Sequence, residues 1–332
     1  MLKRITPLVF ILLLSRPAFS QDIHFSQYNQ FVQLYNPAMV GQFDNMMKGT
    51  IVHRKQWGRV GEGYRTNGFD AQYKLLSLYN DNFLGFGLMV YQDDAGKADM
   101  KTFAVKGSVS YNIEAGSNDF IAAGAQFGYE QRSINFDGLA WDSQYNGVNY
   151  DPTMDDRERF IASKRNFVDI GAGVHWRHKG DKRKYTIGYS VFHANQQITM
   201  VARGNDRMRL RHAMIGSMTK RYRHVDIRTD ALVQRQSGAM EVVVGVTCDY
   251  RFGEESRYTD IRTSSVARGG IFFRNGDSFV PYIGFDYKRF MGASLGYDIR
   301  VAKMNTAKRP GAFELTLTYF GLPNQKRMKL HK

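Results

Sequence analysis

The chain has 332 residues, a formal charge of +15 and a single cysteine, Cys248, which rules out an internal disulfide framework. Mean hydropathy is −0.43, with 14% aromatic residues, 32 Gly and only 7 Pro; this composition favours many short strands. No run approaches the roughly 20 apolar residues of a spanning helix, and the length allows one or two ordinary domains.

The first element is a leader. Lys3 and Arg4 precede an apolar stretch from Ile5 to Leu14, broken only by Thr6 and Pro7, and Ala18-Phe19-Ser20 is a small-x-small cleavage site before Gln21. This is the pattern of a secretory signal peptide over residues 1–20, and no cysteine near the site marks a lipoprotein. Cleavage removes Lys3, Arg4 and Arg16, so the mature chain stays basic at +12. Export argues against nucleic acid as the partner of that charge and favours lipid phosphate, a polar barrel interior or an acidic protein.

Residues 21–45 alternate weakly and form a separate amino-terminal segment, expected in the periplasm. Phe25, Tyr28, Phe31 and Leu34 recur at a spacing of three, and Asn36-Pro37 is a turn or helix-start signal. Two placements fit: a short amphipathic piece across or inside the periplasmic mouth, or aromatics packed on the barrel's lower rim.

From residue 46 to 320 the chain reads as strands. Leu84, Phe86, Leu88 and Val90 alternate with Gly85 and Gly87; Phe103, Val105, Val109 and Tyr111 alternate with Thr102, Lys106, Ser108 and Ser110. The clearest pair is Arg207 to Lys220 and Arg223 to Arg235, where Met208, Leu210, Met214 and Met218 interleave with arginines. Further runs end with Phe313, Leu315, Leu317 and Tyr319 against Glu314, Thr316 and Thr318. Weaker segments lie near 46–57, 65–77, 119–131 and 265–274. The total is about fourteen strands of roughly ten residues, the length that crosses a bilayer at a tilt. The expectation is an all-β, transmembrane, antiparallel β-barrel with both termini periplasmic. On that count the longest connections, near 132–165 and 193–206, fall outside, and only the stretch near 251–264 makes an unusually long periplasmic turn. A basic tail, 321–332, follows with Lys326, Arg327, Lys329 and Lys332.

Little in the chain points to catalysis or a cofactor. His175 and His178 are three apart, hence on opposite faces of a strand, and no metal-binding pair of cysteines exists. Asp151, Asp155, Asp156 and Glu158 lack the spacing of a calcium loop. Gly188-Tyr189-Ser190-Val191-Phe192 lacks the second glycine of a nucleophile elbow. No enzyme activity, cofactor, metal or small-molecule substrate is expected. The inward charges Arg207, Arg209, Arg211, Asp226, Arg228, Asp230 and Glu241 form a ladder along one lumen wall, either a salt-bridged filling or an ion path.

Three stretches are distinctive: Gln21-Asp22-Ile23-His24-Phe25-Ser26-Gln27-Tyr28, then Tyr35-Asn36-Pro37-Ala38-Met39-Val40-Gly41, then Arg54-Lys55-Gln56-Trp57. A later pair joins them: Phe167-Val168-Asp169-Ile170-Gly171-Ala172-Gly173-Val174 and Ile187 to Asn195. Together they resemble the PorP/SprF family of Bacteroidetes outer-membrane proteins, associated with type IX secretion and gliding motility. After Trp57 the chain departs from the family's Gly-x-Pro-x-Thr-like element, reading Gly61-Glu62-Gly63-Tyr64-Arg65-Thr66 without proline. The resemblance implies a non-enzymatic barrel in outer-membrane lipid. Its partners would be periplasmic ring lipoprotein and partner subunits, or a secreted surface adhesin. It also marks His24, Phe25, Gln27, Tyr28, Asn36, Pro37 and Trp57 as the partner-binding residues of the family motif. The alternative function is a diffusion porin with a basic lumen.

Overall fold

Successive side chains point to opposite faces of a strand, so a run with apolar residues at every second position has one greasy face and one polar face. In the computed structural model that alternation becomes fourteen antiparallel strands. They are β1 (Met47–Gln56), β2 (Tyr64–Leu76), β3 (Phe83–Ala95), β4 (Met100–Glu114), β5 (Asp119–Ser133), β6 (Lys164–Lys179) and β7 (Arg183–Phe192), then β8 (Arg211–Arg221), β9 (Val225–Gln236), β10 (Ala239–Phe252), β11 (Ser265–Arg274), β12 (Ser278–Tyr287), β13 (Met291–Arg300) and β14 (Ala312–Gly321). The structure describes residues 23–56, 63–76, 81–96, 99–135, 142–149, 151, 154, 164–197, 207–253, 264–288, 290–301 and 311–321.

β14 pairs with β1 from Met47↔Gly321 to Gln56↔Ala312, which closes the sheet. Closure gives every strand two neighbours, so no row of backbone N–H and C=O groups faces hydrocarbon unpaired. The outward positions carry the apolar set: Phe86, Leu88, Val109, Phe127, Val174, Ile187, Val246, Ile283 and Leu317 are all exposed. The inward positions carry Asp70, Lys106, Gln126, Glu130, Asp169, Arg274 and Glu314, all buried. Tyr73, Tyr111, Trp176, Tyr250, Phe252, Phe285 and Tyr319 stand outward at one end of the wall, the position of an interfacial aromatic girdle.

The two ends differ in their connections. At the turn end, β2 runs to β3, β4 to β5, β6 to β7 and β8 to β9 through short links; the longest connections, from Ser133 to Lys164 and from Phe192 to Arg211, lie at the loop end. The long connection after Phe252 falls at the turn end, as its position in the strand count requires, and 254–263 of it lie outside the described residues.

One strand start differs from the sequence reading. β8 begins at Arg211 rather than Arg207. The reason is local: Met208 donates its amide to the carbonyl of Gln197 at 2.8 Å, so the chain just before β8 folds back on the preceding loop instead of extending the ladder. The leader 1–20, Trp57 and the tail 322–332 lie outside the described residues, as do Asp155, Asp156 and Glu158.

Candidate functional site

The amino-terminal segment fills the barrel. Its residues form three short 3-10 turns, Tyr28–Gln30, Val32–Leu34 and Pro37–Met39, none long enough to satisfy its own backbone. Polar groups on the inward face of the wall supply the missing partners. The segment enters beside the loop end, where Ser26 meets β13 and β14, and leaves at the turn end, where Lys74 of β2 donates to the carbonyl of Phe43. It therefore spans the lumen, a longer path than either a mouth or a rim placement.

At the loop end the anchors are ionic. Glu314 accepts the amides of Ser26 and Gln27 at 2.7 and 2.8 Å, a bidentate carboxylate clasp on two otherwise orphan donors. Arg54 of β1 pairs with Asp298 at 2.8 Å and Glu314 at 3.3 Å, and also donates to the Ser26 hydroxyl. The Ser26 hydroxyl in turn donates to Asp298 at 2.5 Å. Arg274 extends the network to Glu241 at 2.8 Å and to Asp298 at 3.5 Å. His24 stands beside this cluster with its Nε2 atom unpartnered. Burial first, and the nearby Arg274, Arg54 and Arg300 next, hold its imidazole well below the ordinary value, so it is neutral.

In the middle the segment is aromatic. Phe25 packs edge-on against Phe31 with centroids 4.9 Å apart, and Tyr28 lies between Tyr35 and Phe272 at 5.8 and 5.6 Å. The Tyr35 hydroxyl accepts the Phe25 amide at 3.1 Å, which folds the segment on itself. Burial raises both phenols far above their usual range, so they remain protonated.

Along the rest of the segment, single hydrogen bonds from the wall replace the ion cluster. Gln33 donates to Asp70 of β2 at 2.6 Å, and Gln126 of β5 donates to the Gln33 carbonyl at 3.1 Å. Arg211 of β8 caps the Leu34 carbonyl at 2.9 Å, and Ser190 of β7 caps that of Tyr35 at 2.5 Å. Asn36 does two jobs: its Oδ1 accepts the Ala38 amide at 2.9 Å, with Pro37 preset at the first helical position, and its Nδ2 donates to the Val174 carbonyl of β6 at 3.0 Å. Ser110 of β4 caps Val40 at 2.8 Å.

Glycines in the wall make room for this path. A Cβ on Gly124 would lie 2.6 Å from the Ala38 nitrogen, one on Gly173 2.3 Å from Asn36 Oδ1, and one on Gly87 2.1 Å from Gln33 Oε1. These inward glycines form a groove along β3, β5 and β6 that only a missing side chain provides.

A second buried cluster lines the wall between β3 and β7. Lys106 bridges Glu130 at 2.6 Å and Asp169 at 2.7 Å, and His193 binds the same Asp169 at 2.8 Å. Tyr91 donates to Glu130 at 3.1 Å. Asp169, Gly173, Gly188, Ser190 and His193 all belong to the later pair of distinctive stretches, 167–174 and 187–195.

The residues singled out from sequence are thus distributed as follows. Phe25, Gln27, Tyr28, Asn36 and Pro37 are buried in the lumen, His24 is half-buried, and Trp57 lies outside the described residues. Of the proposed charge ladder, Arg211, Asp226, Arg228, Asp230 and Glu241 occupy inward strand positions, where Arg228 pairs with Asp230 at 2.8 Å and Asp226 with Arg251 at 2.9 Å. Arg207 and Arg209 do not belong to it; they precede β8 and are exposed. Gln33, Asp70 and Asp298 were not singled out from sequence; Ser26 and Arg54 stood inside the distinctive stretches and Glu314 among the polar positions of the last strand, without a role assigned to them.

Comparison with known proteins fixes the kinship. The profile of the type IX secretion system membrane protein PorP/SprF family matches residues 18–319. The chain belongs to the PorP/SprF family. As a member of it, the barrel is an outer-membrane protein of the secretion apparatus. Among curated protein sequences nothing matches significantly. Solved structures with the same fold include the Ralstonia pickettii toluene transporter TbuX, with TM-score 0.52 and 9% identity over 89% of this chain and 94% of that one. The CymD monoaromatic hydrocarbon channel has TM-score 0.52 and 12% identity over 92% and 95%. The P. putida toluene transporter TodX has TM-score 0.50 and 9% identity over 87% and 93%. At these identities the likeness is one of fold.

Proposed function

We propose that this PorP/SprF barrel is a non-enzymatic scaffold of the type IX machinery. Its turn end faces the periplasm and engages ring lipoprotein and partner subunits, or its loop end carries a secreted surface adhesin. The observation that supports this reading is the filled lumen. A segment hydrogen-bonded to β2, β5, β6, β7, β8 and β14 gives a stiff body that presents fixed surfaces to partners. The distinctive family residues His24 to Pro37 have the wall itself as their contact surface, so their role is to set the barrel's shape for a partner bound at either mouth.

A second reading, passage of a small molecule, is favoured by the similar barrels, a toluene transporter and a monoaromatic hydrocarbon channel. Planar-bilayer recordings of the purified protein separate the two. The scaffold reading expects no steady open conductance, and loss of adhesin export or gliding on deletion with small-solute uptake unchanged. Ion-selective channels from the protein alone, with normal export in the deletion strain, would overturn it. Co-purification in mild detergent then distinguishes a ring subunit from an adhesin.

A further inference from the structure

On the outer face of the wall at the loop end, β8 and β9 carry an unusual cross-strand pair. His212 lies directly opposite Arg235 in the ladder. Both occupy outward positions of the register that, further along the strands, belong to Met214, Met218 and Val233. Arg209, displaced from the lumen by the late start of β8, joins them. The three residues, with Gln196, Leu210 and Ser237, line a cleft of about 330 Å³.

Two arginines lining one cleft repel each other unless an anion sits between them. Among the described residues no carboxylate pairs with Arg209 or Arg235. The imidazole is held in place: His212 Nδ1 lies 2.7 Å from the Tyr189 hydroxyl and the two rings stack at 6.1 Å. That contact leaves Nε2 directed away from Tyr189. Below the cleft, Tyr189 and Met214 are 46% and 49% exposed on the face that meets acyl chains. A cationic cleft at the top of an apolar wall matches an amphiphile with an anionic head.

We infer that this cleft binds a phosphate monoester, and that its source is the phosphorylated sugar headgroup of an outer-leaflet glycolipid whose acyl chains lie along β7 to β9. Arginine forks and phosphate oxygens are geometrically matched. This rests on the reading that the loop end faces outward, so orientation is tested first. Ser237→Cys should react with a membrane-impermeant maleimide on intact cells; protection there with labelling only after lysis would refute the orientation and leave the secretion role untouched.

The site is tested with protein in nanodiscs of phosphatidylethanolamine doped with lipid A, with dephosphorylated lipid A, or supplemented with inorganic phosphate. The paired variant Arg209→Gln with Arg235→Gln should retain lipid A about tenfold or more weakly. Lys220→Gln with Arg223→Gln, the same charge change at the turn end, should leave retention unchanged. Heat-modifiable electrophoretic mobility confirms that both variants fold. Equal retention by the first pair, or equal retention of the dephosphorylated lipid, would overturn the site. Competition by millimolar inorganic phosphate with no preference for lipid A would assign the cleft to free phosphate and refute the lipid source.

Discussion

The two halves of the filled lumen hold the same segment by different physics. At the loop end Ser26 and Gln27 are clamped by ions, Glu314, Arg54 and Asp298, with Arg274 and Glu241 behind them. Toward the turn end Gln33, Asn36 and Val40 are each held by a separate hydrogen bond, to the Asp70 carboxylate, the Val174 carbonyl and the Ser110 hydroxyl, over a groove of glycines. Buried ions have a large desolvation cost that only mutual pairing offsets, so removing one partner leaves the others stranded. A glycine groove with separate hydrogen bonds fails sterically instead, and by smaller steps. The ionic half is therefore the brittle one.

The most severe break should come from Glu314→Ala. It orphans two amides and leaves Asp298 as the one carboxylate paired with Arg54 among the described residues, and a loss of about 3–5 kcal/mol is expected. Guanidinium unfolding in detergent would record it, and limited proteolysis should cut near residue 26. A loss below about 1 kcal/mol would show that the ion cluster is not the main anchor.

Filling the groove comes next. Gly124→Val places a branched side chain where Ala38 and Pro37 run, and overpacking of this kind costs about 1–3 kcal/mol. The expected readout is protease sensitivity near residue 38 with the loop-end anchor still protected. Simultaneous release of both ends would mean that the halves act as one unit. Asn36→Ala is milder, about 1 kcal/mol, because it removes one cap and one bond to the Val174 carbonyl.

The smallest effect is a pH dependence confined to the ionic half. His24 has a lowered value when docked, so the released segment binds more protons and docking weakens as pH falls. The loss begins near the free imidazole value of about 6.5 and continues downward until the docked ring itself protonates. Between pH 8 and 5, hydrogen exchange of the Ser26 and Gln27 amides should rise in the parent protein, and His24→Asn should flatten the profile. Exchange that is equally pH-dependent in the variant would assign the effect to the carboxylates.

Sidedness was readable because it is local. Val168, Ile170, Val174 and Trp176 against Asp169 and His175 need only the period of two to declare which face meets lipid. The arginine series 207, 209, 211 shows where locality misleads. The alternation continues through Met208 and Leu210, yet the Met208 amide is taken by Gln197, and two of three arginines end on the outer rim. Likewise Phe25, Tyr28, Phe31 and Leu34 announced an amphipathic piece without saying what would cover it.

Sequence by itself therefore determined a closed, lipid-facing barrel of about fourteen strands, since each strand carries its own pattern and closure is the way such strands satisfy their backbones in hydrocarbon. Only the tertiary structure decided what occupies the inside. The Ser26 amide and Glu314 are 288 positions apart, and they meet because β14 returns beside β1. A contact of that range has no local period to betray it; it exists only once the circle is complete.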